Sequence, residues 1–113
     1  MRLKDFASEI IIDPAKFTAY ALNDAHPRGR HKARVFAAVL GYSKVNYESL
    51  RQQIEAGAPY AEAKLLREDG YGRHLQVDLD VVGQNGRSAV VRTGWIVVRE
   101  SDTAYLTTLF VRE

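Results

Sequence analysis

Residues 73–99 read Arg73-His-Leu-Gln-Val-Asp-Leu-Asp-Val-Val-Gly-Gln-Asn-Gly-Arg-Ser-Ala-Val-Val-Arg-Thr-Gly-Trp-Ile-Val-Val-Arg99. Leu75, Val77, Leu79 and Val81 alternate with His74, Gln76, Asp78 and Asp80, the period of a half-buried strand. Asn85-Gly86 is a strong hairpin signal, because tight turns need positive φ angles that Asn and Gly tolerate. The partner strand, Arg87 to Arg99, is rich in valine and suits a pleated surface. Ser101-Asp102 then makes a turn, and Tyr105 to Val111 forms a last strand. Upstream, Asp69-Gly-Tyr-Gly72 is a turn, and residues 60–68 supply a first strand whose alanines and lysine dilute the pattern. The reading is a four-stranded antiparallel meander over about residues 60–112.

The helical part precedes it, over about residues 13–57. Asp13-Pro14 is an N-cap with proline at the first helical position, and Phe17, Tyr20, Ala21 and Leu22 form the apolar stripe of a short helix. His26-Pro27 places residues 24–29 in a loop, since a residue before proline avoids helical angles. A second helix follows from Arg30 to Leu40, with Ala33, Phe36, Val39 and Leu40 on one face and Gly41 at its C′ position. Ser43 caps a third helix with the stripe Tyr47, Leu50, Ile54, ended by Gly57 and Pro59. Residues 1–12 admit two readings, a short strand at Ile10-Ile-Ile12 or an entry segment packed on the sheet. Helices followed by an antiparallel meander predict an α+β fold, helices on one face of the sheet, in one domain over 1–113.

Composition narrows the chemistry. The chain has no cysteine, which excludes disulfides, thiol catalysis and thiolate metal sites, and suits a cytoplasmic setting. No apolar run approaches the ~20 residues of a membrane span, so no membrane partner is expected. Histidines at 26, 31 and 74 have no metal-ligand spacing, and no phosphate loop, nucleophile elbow or dinucleotide fingerprint occurs. No metal and no cofactor are therefore expected.

Charge is informative through its placement. Net charge is only +2, yet residues 26–35 carry four cations and two histidines with no acid. Arg28, Arg30, His31 and Lys32 crowd a helix start, where cations oppose the macrodipole at a total cost of ~1 kcal/mol. What such a cluster gains is an anion site shared with free backbone N–H groups. Lys32 falls on the apolar face beside Phe36 and Val39, while His31 and Arg34 lie on the flank away from it. His26, Arg28, Arg30 and Arg34 are accordingly candidates for contacting an anionic substrate.

On the sheet, Arg92 interrupts an apolar strand. It either faces a wet cleft or pairs outward with Asp78 or Asp80 across the hairpin. Trp95 is either core or a platform for an RNA base. His31, Lys32, Arg92, Thr93 and Thr107 (or its neighbour Thr108) together suit metal-free RNA cleavage. Histidine titrates near pH ~6.5 and can move protons. Lysine and arginine can hold charge on a phosphorane, and threonine hydroxyls can orient the phosphate.

The runs Tyr20-Ala-Leu-Asn23, His26-Pro-x-Gly-x-His-Lys-Ala-x-Val-Phe36 and Leu40-Gly-Tyr42 resemble a bacterial domain family of unknown function. So do Asp69-Gly-Tyr-Gly72, Val77-Asp78, Gly83-x-Asn-Gly86, Val91-Arg-Thr-Gly-Trp-Ile96 and Leu106-Thr107, so that the likeness spans about residues 17–111. Such domains stand beside antitoxin or immunity genes or end polymorphic toxins. The resemblance implies a toxin acting in its own or a target cell's cytoplasm, restrained by a cognate antitoxin or immunity protein. The architecture is also similar to the barnase–EndoU–colicin–RelE class of metal-independent ribonucleases. That likeness matches His31 and Lys32 to a helix-borne pair and Arg92, Thr93 and Thr107 to sheet positions, without a counterpart to the glutamate some members use. The expected activity is endoribonuclease; the alternative is a non-enzymatic protein-interaction module using the outer sheet face and strand edges.

Overall fold

The computed structural model describes residues 1–113. The alternation over 73–99 folds as β3 (Gly72–Val82) and β4 (Ser88–Val98), antiparallel from Gly72↔Val98 to Val82↔Ser88. β5 (Thr103–Val111) and β2 (Ala63–Glu68) flank this hairpin, each antiparallel to its neighbour. A fifth strand, β1 (Glu9–Ile11), runs parallel to β5, giving the order β1-β5-β4-β3-β2. The sheet is therefore five-stranded and mixed, rather than a four-stranded antiparallel meander. The anchor for the extra strand is Asp102, whose carbonyl accepts from Ser8 N at 3.0 Å and whose carboxylate accepts from the same N–H at 3.2 Å. Because β1 reaches only Thr103 to Tyr105, residues 106–111 of β5 have no strand on their outer edge.

Three helices and two short turns lie on one sheet face: α1 (Leu3–Phe6), a π-helical turn at Phe17–Ala21, α2 (Arg30–Leu40), α3 (Glu48–Gly57) and a 3₁₀ turn at Ala58–Tyr60. The short helix read from Asp13-Pro14 forms, with Asp13 Oδ1 accepting from Ala15 N at 2.9 Å and Ala15 and Lys16 helical, and it continues as the π turn. The third helix starts at Glu48, not at Ser43. There the Asn46 side chain accepts from Ser43 N at 2.7 Å and donates to Gly41 O at 3.0 Å, closing a loop in place of a helical cap. No helix is long and apolar enough to cross a membrane.

Phe17, Phe36, Leu40, Leu50 and Ile54 from the helical layer bury against Leu75, Val77, Val81, Val91, Trp95 and Leu109 of the sheet. Each such side chain contributes roughly 1.5–3 kcal/mol by leaving water. The opposite sheet face carries His74, Gln76, Asp78 and Arg92, and at its β5 edge Thr108 and Phe110 are met by Lys32 of α2.

Both ends of α2 are pinned. At its C-terminus Gly41 (φ +72°) takes the C′ position and donates to Ala37 O, as the sequence predicts. The β3–β4 loop satisfies the next carbonyls, with Gln84 N donating to Leu40 O at 2.8 Å and Asn85 Nδ2 to Val39 O at 3.0 Å. The hairpin loop thus holds the helix to the sheet, and through it fixes where Lys32 sits.

Candidate functional site at the open edge of β5

Lys32 lies in the first turn of α2, half-buried against residues of β5. Its Nζ donates to the Tyr20 hydroxyl at 2.6 Å and to Thr108 Oγ1 at 3.1 Å. The same ammonium lies 4.7 Å from the Tyr20 ring centroid and 5.3 Å from that of Phe110. None of the chain's ion pairs involves Lys32, Arg28, Arg30 or Arg34. A partly desolvated charge held only by hydroxyls and aromatic faces retains a strong attraction for an anion.

Two local devices build this contact. His26 folds the loop before α2, its Nδ1 accepting from Arg28 N at 3.0 Å and Gly29 N at 2.9 Å, and its carbonyl accepting from Arg30 N at 2.9 Å. Its ring also meets Tyr20 edge-on at 5.2 Å. Gly29 packs directly on the Tyr20 backbone, where a Cβ would fall 2.2 Å from the Tyr20 carbonyl oxygen. The N–H groups of Arg28, Gly29 and Arg30 are therefore spent inside the turn. The N–H groups of His31 and Lys32 in the first turn of α2 have no acceptor within the chain and remain as the free backbone donors the sequence suggests.

The second device is a bulge. Gly94 pairs with Thr108 while Trp95 pairs with Leu106, so Thr107 is an extra residue in β5. A Cβ on Gly94 would lie 2.9 Å from Thr108 Cγ2 and 3.2 Å from Thr107 Oγ1, so both threonines lean over β4. Gly94→Ala is expected to push Thr108 off Lys32 with a core left folded. The check is weaker binding of inorganic phosphate with thermal unfolding shifted by only a few degrees.

The Lys32 ammonium donating to its oxygen holds the Tyr20 hydroxyl below the ordinary tyrosine range. Desolvation opposes this shift, while the Thr108 hydrogen bond and the charge of Arg28 add to it. His31 is exposed beside a cleft of about 170 Å³ lined by His31, Lys32, Val35, Phe110, Val111 and Glu113, with His31 Nε2 3.7 Å from the Glu113 carboxylate.

Arg92 stands cross-strand from Phe110 on the outer face. Of its two sequence readings the outward pair is the one formed. Nε and Nη2 donate to the Asp78 carboxylate at 2.9 and 3.1 Å, and Arg112 approaches the same carboxylate at 3.4 Å. Chiefly through the Arg92 hydrogen bond, against desolvation, the Asp78 carboxyl is held below its ordinary range. A lowered folded value means that the stabilisation is complete above the unfolded pKa of ~3.9 and vanishes as pH falls through the folded value. Asp78→Asn should therefore lose about 1 kcal/mol at pH 7 and almost nothing in strong acid, measured by urea unfolding at both.

Lys32, Thr107 and Thr108 thus share one neighbourhood, with His31 and Arg28 at its margin, while the Arg92 guanidinium is committed to Asp78 on β3. Four other residues do not join it. Thr93 and Trp95 are fully buried on the helix side; Trp95 Nε1 donates to Thr93 Oγ1 at 2.8 Å, and Thr93 Oγ1 donates to Val77 O at 2.7 Å. Their polar atoms are used in the core, so Trp95 offers no platform for a base and Thr93 no hydroxyl for a phosphate. Arg30 and Arg34 each lie about 200° around α2 from Lys32. Tyr20 is the participant that sequence reading missed. Its ring fits a helical stripe, and nothing in the spacing shows that a lysine twelve residues later returns to its hydroxyl.

Comparison with curated proteins finds no match, and neither does comparison with solved structures. A family model described as a domain of unknown function, DUF6883, covers residues 2–113, and the chain belongs to that family.

Proposed function

We propose that this domain is a metal-independent endoribonuclease acting as a toxin. The observation that carries the reading is Lys32, a half-buried cation whose polar partners are two hydroxyls and not a carboxylate. A phosphodiester fits that vacancy in charge balance. Its non-bridging oxygens would take Lys32 and Thr108, and Thr107 and Arg28 would steady the flanking backbone. His31, exposed next to this point, takes the proton from a ribose 2′-OH. The 2′-oxygen attacks phosphorus, the P–O5′ bond breaks, and a proton returns to the departing 5′-oxygen. Lys32 stabilises the extra negative charge of the phosphorane between these events. The products are a 2′,3′-cyclic phosphate and a 5′-hydroxyl.

The resemblance to toxin-borne domains supports a cytoplasmic target and a cognate antitoxin or immunity protein as partner. The alternative, a non-enzymatic interaction module, is favoured by one feature. Edge strand β2 exposes Leu65 and Leu66 side by side, about half of each accessible.

Induced expression in a bacterial host separates the two. The nuclease reading expects growth arrest with discrete RNA fragments from the wild type, and neither from His31→Ala/Lys32→Ala. Intact RNA with soluble, folded wild-type protein would favour the interaction module.

A further inference from the structure

We infer that Tyr20 is the general acid of this site, giving its hydroxyl proton to the departing 5′-oxygen while Lys32 holds the phenolate left behind. The inference rests on the RNA-cleavage reading and supplies the proton donor that the reading lacks. An ammonium group has donors only, so in the 2.6 Å contact the Tyr20 oxygen accepts and its own hydrogen is left for another acceptor. Lys32 also meets Thr108 at 3.1 Å, so a phosphate drawn to these two groups lies beside the Tyr20 hydroxyl.

The neighbouring cations and hydroxyl favour the phenolate, against the cost of desolvation. Lys32 faces Tyr20 from α2, Arg28 adds positive charge from the loop, the His26 ring stands edge-on at 5.2 Å, and Thr108 offers a hydroxyl from β5. No carboxylate contributes. The hydroxyl accordingly ionises below the ordinary tyrosine range, and its protonated form carries the proton an acid must give. The ring is also held in place, since Gly29 packs on the Tyr20 backbone and His26 on its face.

The step balances with groups on hand. The O2′–P bond forms as P–O5′ breaks, His31 receives the O2′ proton, O5′ receives that of Tyr20, and solvent restores both residues.

The test uses Tyr20→Phe, which keeps the ring and its packing, on two substrates. One is single-stranded RNA. The other is a mixture of the four nucleoside 3′-(4-nitrophenyl) phosphates, whose leaving group departs without protonation. We expect cleavage of RNA to fall about 100- to 10,000-fold and nitrophenyl release to stay close to wild type. The wild-type rate on RNA should decline at alkaline pH as Tyr20 ionises, and Tyr20→Phe should lack that decline. Ultraviolet titration should find one of the six tyrosines ionising early, absent in Tyr20→Phe and shifted upward in Lys32→Met.

RNA cleavage within tenfold of wild type in Tyr20→Phe would overturn the assignment and leave the nuclease reading standing. Equal loss on both substrates would make Tyr20 a positioning residue and overturn it too. A folded wild type that cleaves neither substrate would overturn both the assignment and the reading beneath it.

Discussion

Lys32→Ala is expected to lower RNA cleavage by about 100- to 1,000-fold, the scale of removing one preorganised charge from a transition state. Stability should change by no more than about 1 kcal/mol, because two effects oppose one another. The truncation loses the aromatic contacts to Tyr20 and Phe110. It also relieves the chain of a half-buried cation that no carboxylate neutralises. Parallel measurement of kcat/KM and of the urea midpoint checks both halves. A large stability loss with unchanged turnover per folded molecule would make Lys32 a structural residue.

Thr93 and Trp95 should give the opposite pattern. Thr93→Val removes the acceptor for the buried Trp95 Nε1–H and the donor to Val77 O. A buried indole N–H left without a partner costs about 1–3 kcal/mol. Trp95→Ala removes the largest fully buried side chain in the core, at about 3–5 kcal/mol, a large fraction of a typical domain's total stability of 5–15 kcal/mol. Below its lowered melting temperature, Thr93→Val should cleave RNA at the wild-type rate. A Thr93→Val protein that stays stable but loses activity would return Thr93 to the site.

The hairpin at the centre of the fold was legible because β3 and β4 obey a short-range rule. One face is buried, so alternation along the strand is enforced residue by residue, and Asn85-Gly86 marks the reversal. The end of α2 at Gly41 was legible for a similar reason, a backbone angle that few residues accept. β1 was legible only as one of two readings, a short strand at Ile10-Ile-Ile12, since a three-residue strand has too little pattern to show a period, and its parallel pairing depends on Ser8 meeting Asp102 from 94 residues away.

The site divides along the same line. Lys32 announced itself as a cation on an apolar helical face. Choosing between Thr107 and Thr108 required knowing that β5 carries a bulge opposite Gly94, and a period-two reading has no means to place an extra residue. Thr93 and Arg92, adjacent in the chain, point to opposite faces of β4; period two already sets Thr93 with Val91, Trp95 and Val97, but not that its hydroxyl is used up between Trp95 and Val77. Tyr20 joins the site through a loop closed by His26 and Gly29, a long-range contact without a local signature.

The most direct measurement is cleavage of an end-labelled single-stranded RNA by purified wild-type protein in excess chelator. It is paired with the same RNA carrying a single 2′-deoxy substitution at the mapped cut. The account predicts cleavage of the first, yielding a 2′,3′-cyclic phosphate and a 5′-hydroxyl, and none at the substituted position. Cleavage that persists at the 2′-deoxy position, or no cleavage by folded protein, would contradict it.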